Sequence, residues 1–124
     1  MHHPAKAYEK NAVENGSPRE LEARLLMRAA SKLQAVKDGT VTKIADVLSA
    51  VRYNRRLWLI FAFSTSSPDN PLPTEIRRNV ISLATFVVNR SITLETAAEP
   101  QPERVDVLIN INREIAAGLR TNAA

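Results

Sequence analysis

The sequence predicts an all-α protein: an antiparallel bundle of about four helices over residues 17–121, preceded by an extended, partly flexible N-terminal arm over residues 1–16. Three observations lead to this prediction. Apolar residues recur at helical spacing in four segments, prolines and a glycine separate these segments, and no stretch alternates apolar and polar residues as a half-buried strand does. Four amphipathic helices joined by short loops are typical of an antiparallel bundle.

The first helix is predicted to begin at the capping box Ser17-Pro18-Arg19-Glu20. In this motif Ser17 accepts a hydrogen bond from the Glu20 amide while the Glu20 side chain reaches back, and the proline suits the first helical position. Gly39 is the kind of residue that ends a helix. Between these signals one face carries Leu21, Leu25, Leu26, Ala29, Leu33 and Val36.

The second helix is expected to be capped by Thr40 or Thr42 and to run to about Phe63. Residues 64–73 contain three prolines and an Asp-Asn pair, which is typical of a loop where the chain reverses. The apolar stripe of this helix is Ile44, Val47, Leu48, Val51, Trp58 and Ala62.

The third helix is expected to begin near Pro73, with Glu75 placed favourably for the helix dipole. Pro100 and Pro102 separate it from the fourth. The stripe of the third helix is Ile76, Val80, Leu83, Val87 and Leu94, and that of the fourth is Val105, Leu108, Ile111, Ile115 and Leu119.

Composition limits the classes of protein that the chain can belong to. With 124 residues it fits one domain, and the absence of cysteine excludes a disulfide framework and thiolate metal sites. The N-terminal residues lack the apolar segment of a signal peptide, and the apolar run Leu57 to Phe63 is too short to span a bilayer. We therefore expect a cytoplasmic protein that does not insert into membranes.

Residues suited to catalysis are few. The two histidines, His2 and His3, are adjacent and lie in the predicted arm, where a positioned base or metal ligand is not expected. No glycine-rich phosphate loop, paired-carboxylate pattern or nucleophile motif occurs. We expect a protein that is not an enzyme and that has neither a cofactor nor a metal.

The centre of the second helix combines basic and polar residues. Arg52, Arg55 and Arg56 form a strip that either pairs with carboxylates of the chain or orients an acidic partner. Trp58 lies on the inward stripe, so we expect a structural residue, as we do for Asn54 beside it. Asn112 falls on the buried stripe of the fourth helix and is expected to fix register or cap a backbone group.

The second and third helices have more apolar residues than one buried face requires. Residues 57–63 are apolar all round the second helix, and Ile81, Val88 and Ile92 recur on a side of the third helix away from its core stripe. Such a surplus predicts a contact site for a helix or a second subunit. The alternative is that these helices are central, or that the N-terminal arm covers them.

Together these residues resemble the flagellar biosynthesis regulator FlaF family of alphaproteobacteria. The resemblance covers nearly the whole chain after residue 6, in the order and spacing of the family. It depends on Ala7-Tyr8, Ser17-Pro18-Arg19-Glu20, Asn54-Arg55-Arg56-Leu57-Trp58, Leu72-Pro73, Ile81-Ser82-Leu83, Leu108-Ile109-Asn110-Ile111-Asn112-Arg113 and Gly118-Leu119.

The resemblance implies a protein needed for flagellum assembly and motility that acts on flagellin after transcription. Members are thought to promote flagellin synthesis, to assist secretion as a chaperone, and to oppose or cooperate with the flagellin translation regulator FlbT. The expected site is a groove between the second and third helices, where Arg52 and Arg56 set orientation and Tyr8 covers the groove until flagellin arrives. Its apolar anchors are Leu57, Ile60, Ile81, Val88 and Ile92.

Two other functions fit the sequence. Residues 42–48 look superficially like the first helix of a helix-turn-helix, which would suit a regulator that binds flagellin messenger RNA, although no glycine-containing turn follows. A break near Ser49 would favour that function, and a continuous helix would count against it. The surplus apolar surface could instead join two copies of the chain as a homodimeric structural adaptor.

Overall fold

The computed structural model describes residues 17–121, and within this range it contains four α-helices and no strand. They are α1 (Pro18–Lys37), α2 (Ile44–Ser66), α3 (Thr74–Thr96) and α4 (Asp106–Thr121), and a 3₁₀ turn (Pro102–Val105) leads directly into α4. The all-α prediction of about four helices is therefore confirmed. The predicted N-terminal arm, with His2, His3 and Tyr8, lies outside the described residues.

The helices form two antiparallel pairs. In the first pair α1 packs along α4, and ion pairs join the end of one helix to the start of the other: Lys37 with Asp106, and Glu20 with Arg120. The second pair is α2 and α3. The α2 helix also packs against α1, whereas α3 makes few contacts with α4. One long side of α3 is therefore covered mainly by α2.

The ends of α1 follow from local sequence. The Ser17 hydroxyl accepts a hydrogen bond from the Glu20 amide at 3.1 Å, as the capping box predicts. The Glu20 carboxylate, which was expected to reach back to Ser17, instead accepts from Arg120 at 3.2 Å, because α4 places a cation beside it. At the other end Gly39 has a φ of +78°, a left-handed conformation in which glycine lacks the Cβ penalty of other residues.

The start of α2 differs from the prediction. Lys43 occupies the N-cap position without a side-chain hydrogen bond, so neither Thr40 nor Thr42 caps the helix. The amides of Thr40 and Val41 both donate to the carbonyl of Ala35, which commits this segment to the end of α1. The exposed fraction of Ile44, predicted to be buried, is 59%, because it lies in the first turn at the end of the bundle. The helix ends at Ser66, three residues beyond the predicted end.

The core lies between the four helices. Trp58 is its largest fully buried side chain, and it packs edge-to-face against Phe61 with ring centroids 5.8 Å apart. Apolar side chains from all four helices belong to the same cluster, among them Leu26, Leu33, Val51, Val80, Val87, Leu108 and Leu119. The core stripe of α3 is thus buried, whereas Ile81, Phe86 and Ile92 of the same helix lie outside the core and are exposed.

The buried side chain of Asn112 forms hydrogen bonds that connect three helices inside this core. Asn112 of α4 accepts a hydrogen bond from the Trp58 indole at 2.8 Å and donates to the Leu26 carbonyl at 3.1 Å. Its amide also donates to the Asn54 side-chain oxygen at 2.7 Å. Since a buried amide without partners is costly, these bonds specify one relative position of α1, α2 and α4.

Candidate docking surface on α2 and α3

The large apolar side chains that remain exposed within residues 17–121 are confined to two helices. Phe63 is the most exposed, at 83%, and Ile60 follows at 69%. Neither α1 nor α4 has an exposed large apolar residue. The full set is Ile44, Leu59, Ile60, Phe63, Ile81, Phe86 and Ile92. The surplus of apolar surface that the sequence predicts on the second and third helices is therefore present in the structure.

On α3 the three predicted anchors lie on the side that faces α2. Successive helical residues are about 100° apart, which places Ile81, Val88 and Ile92 within about 40° of one another. Arg77 and Glu95, which lie beside this strip, both bond to α2: Arg77 donates to the Thr65 carbonyl at 3.0 Å, and Glu95 accepts from Arg55. Ile81 and Ile92 are about half exposed, and Val88 is half-buried.

On α2 the exposed apolar side chains nearest this strip in helical direction are Leu59, which is about half exposed, and Phe63, which projects into solvent. They lie on the same side of the helix as Arg52, whose guanidinium reaches Glu95 of α3. We call the set the α2–α3 apolar surface; its members are Leu59, Phe63, Ile81, Val88 and Ile92. The sequence predicts that the apolar run of residues 57–63 contains a contact site. It does not predict that Leu59 and Phe63 belong to this surface, because that depends on how α3 packs against α2.

Leu57 and Ile60 were expected in the same groove, and the structure places them differently. Leu57 is about 200° around the helix from Leu59, so it faces α1. Together with Ile60 it lines a recess between α1 and α2 that also contains Leu25 and Phe61. The sequence-predicted anchors are therefore divided between the two sides of α2, with the exposed Ile60 between them.

The basic strip of α2 is partly used inside the molecule. Arg55 donates to both oxygens of Glu95, at 2.7 and 3.1 Å, and Arg52 donates to Oε1 at 3.1 Å. The hydrogen bond from Arg55 is the main reason that the pKa of Glu95 lies below its usual value, although partial burial opposes the shift. The same hydrogen bond raises the pKa of Arg55.

Arg56 differs from Arg52 and Arg55, because it does not pair with Glu95. It is exposed and has no hydrogen bond or ion pair within residues 17–121. Of the two cations expected to orient a partner, Arg52 is therefore already paired with Glu95, whereas Arg56 is not. Tyr8, which was expected to cover the groove, lies outside the described residues.

The α2 helix continues without a break through Ser49. The turn that a helix-turn-helix needs after its first helix is therefore missing at this position. No helix in the described range is both long enough and apolar enough to cross a bilayer.

Comparison with known proteins identifies the family. The model of a family described as "Flagellar protein FlaF" matches residues 4–119. No curated protein matches the chain, and no solved structure does. Since the family match covers nearly all of the sequence, the chain belongs to the FlaF family of flagellar proteins, and its role is connected with the flagellum.

Proposed function

We propose that this protein binds flagellin in the cytoplasm as an export chaperone, and thereby promotes flagellin synthesis and secretion after transcription. The proposed activity is binding, with no catalytic step. The family supplies the flagellar context. The observation that carries the mechanism is the concentration of exposed large apolar side chains on α2 and α3.

The chemistry of unexported flagellin suits such a surface. Its terminal segments become amphipathic helices that are buried only in the assembled filament, so before export their apolar stripes need a temporary partner. A helix with apolar residues at i, i+3, i+4 and i+7 fits along a seam between two helices. Ile81 to Ile92 extends over about 16 Å, or three turns of such a helix.

The strength expected of this contact agrees with a temporary complex. Side chains that are about half exposed, such as Ile81 and Ile92, contribute roughly 1 kcal/mol each when a partner covers them, and the more exposed Phe63 contributes more. Ordering the partner segment opposes these contributions. The balance favours a complex that protects flagellin but releases it to the export machinery.

Paired substitutions on α3 test the proposal. Ile81→Asp and Ile92→Asp each place a charge on the α2–α3 apolar surface, whereas Ser82→Asp and Thr93→Asp place the same charge on exposed neighbouring positions that face away from α2. Binding of purified flagellin, measured by calorimetry, is expected to weaken by about tenfold or more for the first pair. The second pair should bind like the unchanged protein.

Circular dichroism must show that all four variants remain helical. Equal affinity for flagellin in all four would contradict the proposed surface. We avoid Val88 in this test, because it is half-buried and a charge there would also disturb packing.

Self-association is the other use to which this surface could be put. Sedimentation of the unchanged protein measures the oligomeric state directly. A dimer that Ile81→Asp converts to a monomer, together with flagellin binding that the substitution leaves intact, would assign the surface to a second copy of the chain. A monomer whose flagellin binding is lost in the same variant supports the chaperone.

A further inference from the structure

A second surface runs along the other side of α2, in the seam with α1. Three open recesses follow one another there: the first and third lie between α1 and α2, and the second lies on the exposed face of α2 between them. Ser49 and Tyr53 line both the first and the second recess, and Leu57 and Ile60 line both the second and the third, so the three are continuous. We call this the α1–α2 groove. From Ala45 to Ser64 it is about 30 Å long, which matches a helix of about 20 residues.

One half of the α1–α2 groove is basic. Arg28 and Lys32 of α1 and Arg56 of α2 are exposed along it, and the Lys32 ammonium lies 5.0 Å from the centre of the Tyr53 ring. Neither Arg28 nor Arg56 has a hydrogen bond or ion pair within the described residues. Asp46 is the carboxylate that lines this half. The half therefore carries an excess of positive charge.

The other half is apolar. It is lined by Leu25 and Leu26 of α1 and by Leu57, Ile60 and Phe61 of α2. The carboxylate at this end, Glu22, lies 2.8 Å from Arg19, so its charge is balanced within α1. Basic and apolar halves thus follow one another along a single groove.

We propose that the α1–α2 groove binds an amphipathic helix of another protein, one with carboxylates toward one end and large apolar residues toward the other. The basic half attracts and orients the carboxylates, and the apolar half buries the remaining side chains. A nucleic acid fits less well, because no cation lines the apolar half to pair with phosphate and Tyr53 is the lone aromatic ring among the residues that line the basic half.

This site is additional to the one proposed for flagellin. Its apolar anchors differ from those of the flagellin surface, because Leu57 and Leu59 lie on opposite sides of α2. The two surfaces border each other at Arg52, which lines the second recess and also bonds to Glu95 of α3.

A labelled synthetic helix tests the proposal. The probe has about 20 residues, with glutamates on one face of its first half and leucines at helical spacing on the same face of its second half. A second probe replaces each glutamate with glutamine. Fluorescence anisotropy is expected to show that the full-length protein binds the glutamate probe about tenfold more tightly than the glutamine probe, and that added salt reduces the difference.

Charge reversal locates the bound probe. The double variant Arg28→Glu/Arg56→Glu is expected to weaken binding of the glutamate probe by about tenfold or more. Arg78→Glu, an exposed position on α3, should leave it unchanged, and so should Ile81→Asp, which tests the flagellin site separately. Both altered arginines are exposed, so the fold should survive, as circular dichroism would show.

Three results would overturn the proposal. One is the absence of binding by the glutamate probe. Another is binding that the double charge reversal leaves unchanged. The third is tighter binding of a single-stranded RNA oligonucleotide of similar length, lost in the same double variant, which would assign the basic half to nucleic acid.

Discussion

Trp58 donates its indole N–H to the side-chain oxygen of Asn112 at 2.8 Å, and both residues are fully buried. Replacing Asn112 with leucine keeps the branched shape in a somewhat larger side chain, but it removes the bonds to the indole, the Leu26 carbonyl and the Asn54 oxygen. We expect Asn112→Leu to lower the free energy of unfolding by about 3 kcal/mol, measured by urea denaturation. Asn110→Leu, at an exposed position of the same helix, should change it by less than about 0.5 kcal/mol. Similar losses in both variants would show that the buried bonds contribute little.

A double-mutant cycle isolates the bond between the two residues. Trp58→Phe removes the donor but keeps an aromatic ring in the core. If the bond contributes as its geometry indicates, the loss of stability in Trp58→Phe/Asn112→Leu should be smaller than the sum of the single losses by about 1 kcal/mol. Additive losses in the same urea measurements would mean that the two side chains act independently.

Two glycines should respond to alanine in opposite directions. Gly39 has a left-handed backbone, so Gly39→Ala is expected to lower stability by about 1 kcal/mol even though an added Cβ would touch nothing. Gly118 lies inside α4, where a Cβ also meets no neighbour, so Gly118→Ala should raise stability by about 0.5 kcal/mol. Thermal unfolding measures the stability change in both variants. Changes of the same sign would contradict the argument from backbone conformation.

Glu95 makes part of the stability depend on pH. The hydrogen bond from Arg55 lowers the pKa of the carboxylate below its ordinary value of 4.5. The unfolded chain therefore takes up this proton at a higher pH than the folded one. The contribution of Glu95 to stability is fully present above the ordinary value and is lost as the pH falls through the lower folded value.

The variant Glu95→Gln should consequently be less stable than the unchanged protein at pH 7, by less than about 1 kcal/mol because the pair is near the surface. The difference should shrink below pH 4.5. Urea denaturation across this range measures it, and Glu99→Gln serves as an exposed control. A difference that stays constant with pH would show that the carboxylate charge is not its cause.

Local features of this fold could be predicted from the sequence because they depend on residues a few positions apart. Ser17 caps α1 and Gly39 ends it through bonds within a single turn. The start of α2 could not be predicted in the same way. Thr40 is a good cap in isolation, but its amide is committed to Ala35 at the end of the preceding helix.

The candidate site was predictable in composition but not in arrangement. The surplus of apolar residues on the second and third helices is visible in the sequence, because it needs only helical periodicity. The separation of Leu57 from Ile81 depends on which side of α2 meets α1 and which meets α3, and periodicity does not give this. The pairing of Arg55 with Glu95 likewise depends on the register of two helices whose paired residues lie 40 positions apart.

The absence of cysteine from the chain allows the central claim, that the α2–α3 apolar surface holds flagellin, to be measured directly. Single cysteines at Ile81→Cys and Ile92→Cys report on this surface, and Ser82→Cys and Thr93→Cys report on adjacent exposed positions. The measurement is the rate of thiol labelling with and without bound flagellin. We expect flagellin to slow labelling at positions 81 and 92 severalfold and to leave positions 82 and 93 unchanged. Unchanged rates at all four positions in a complex that has demonstrably formed would place flagellin elsewhere on the protein.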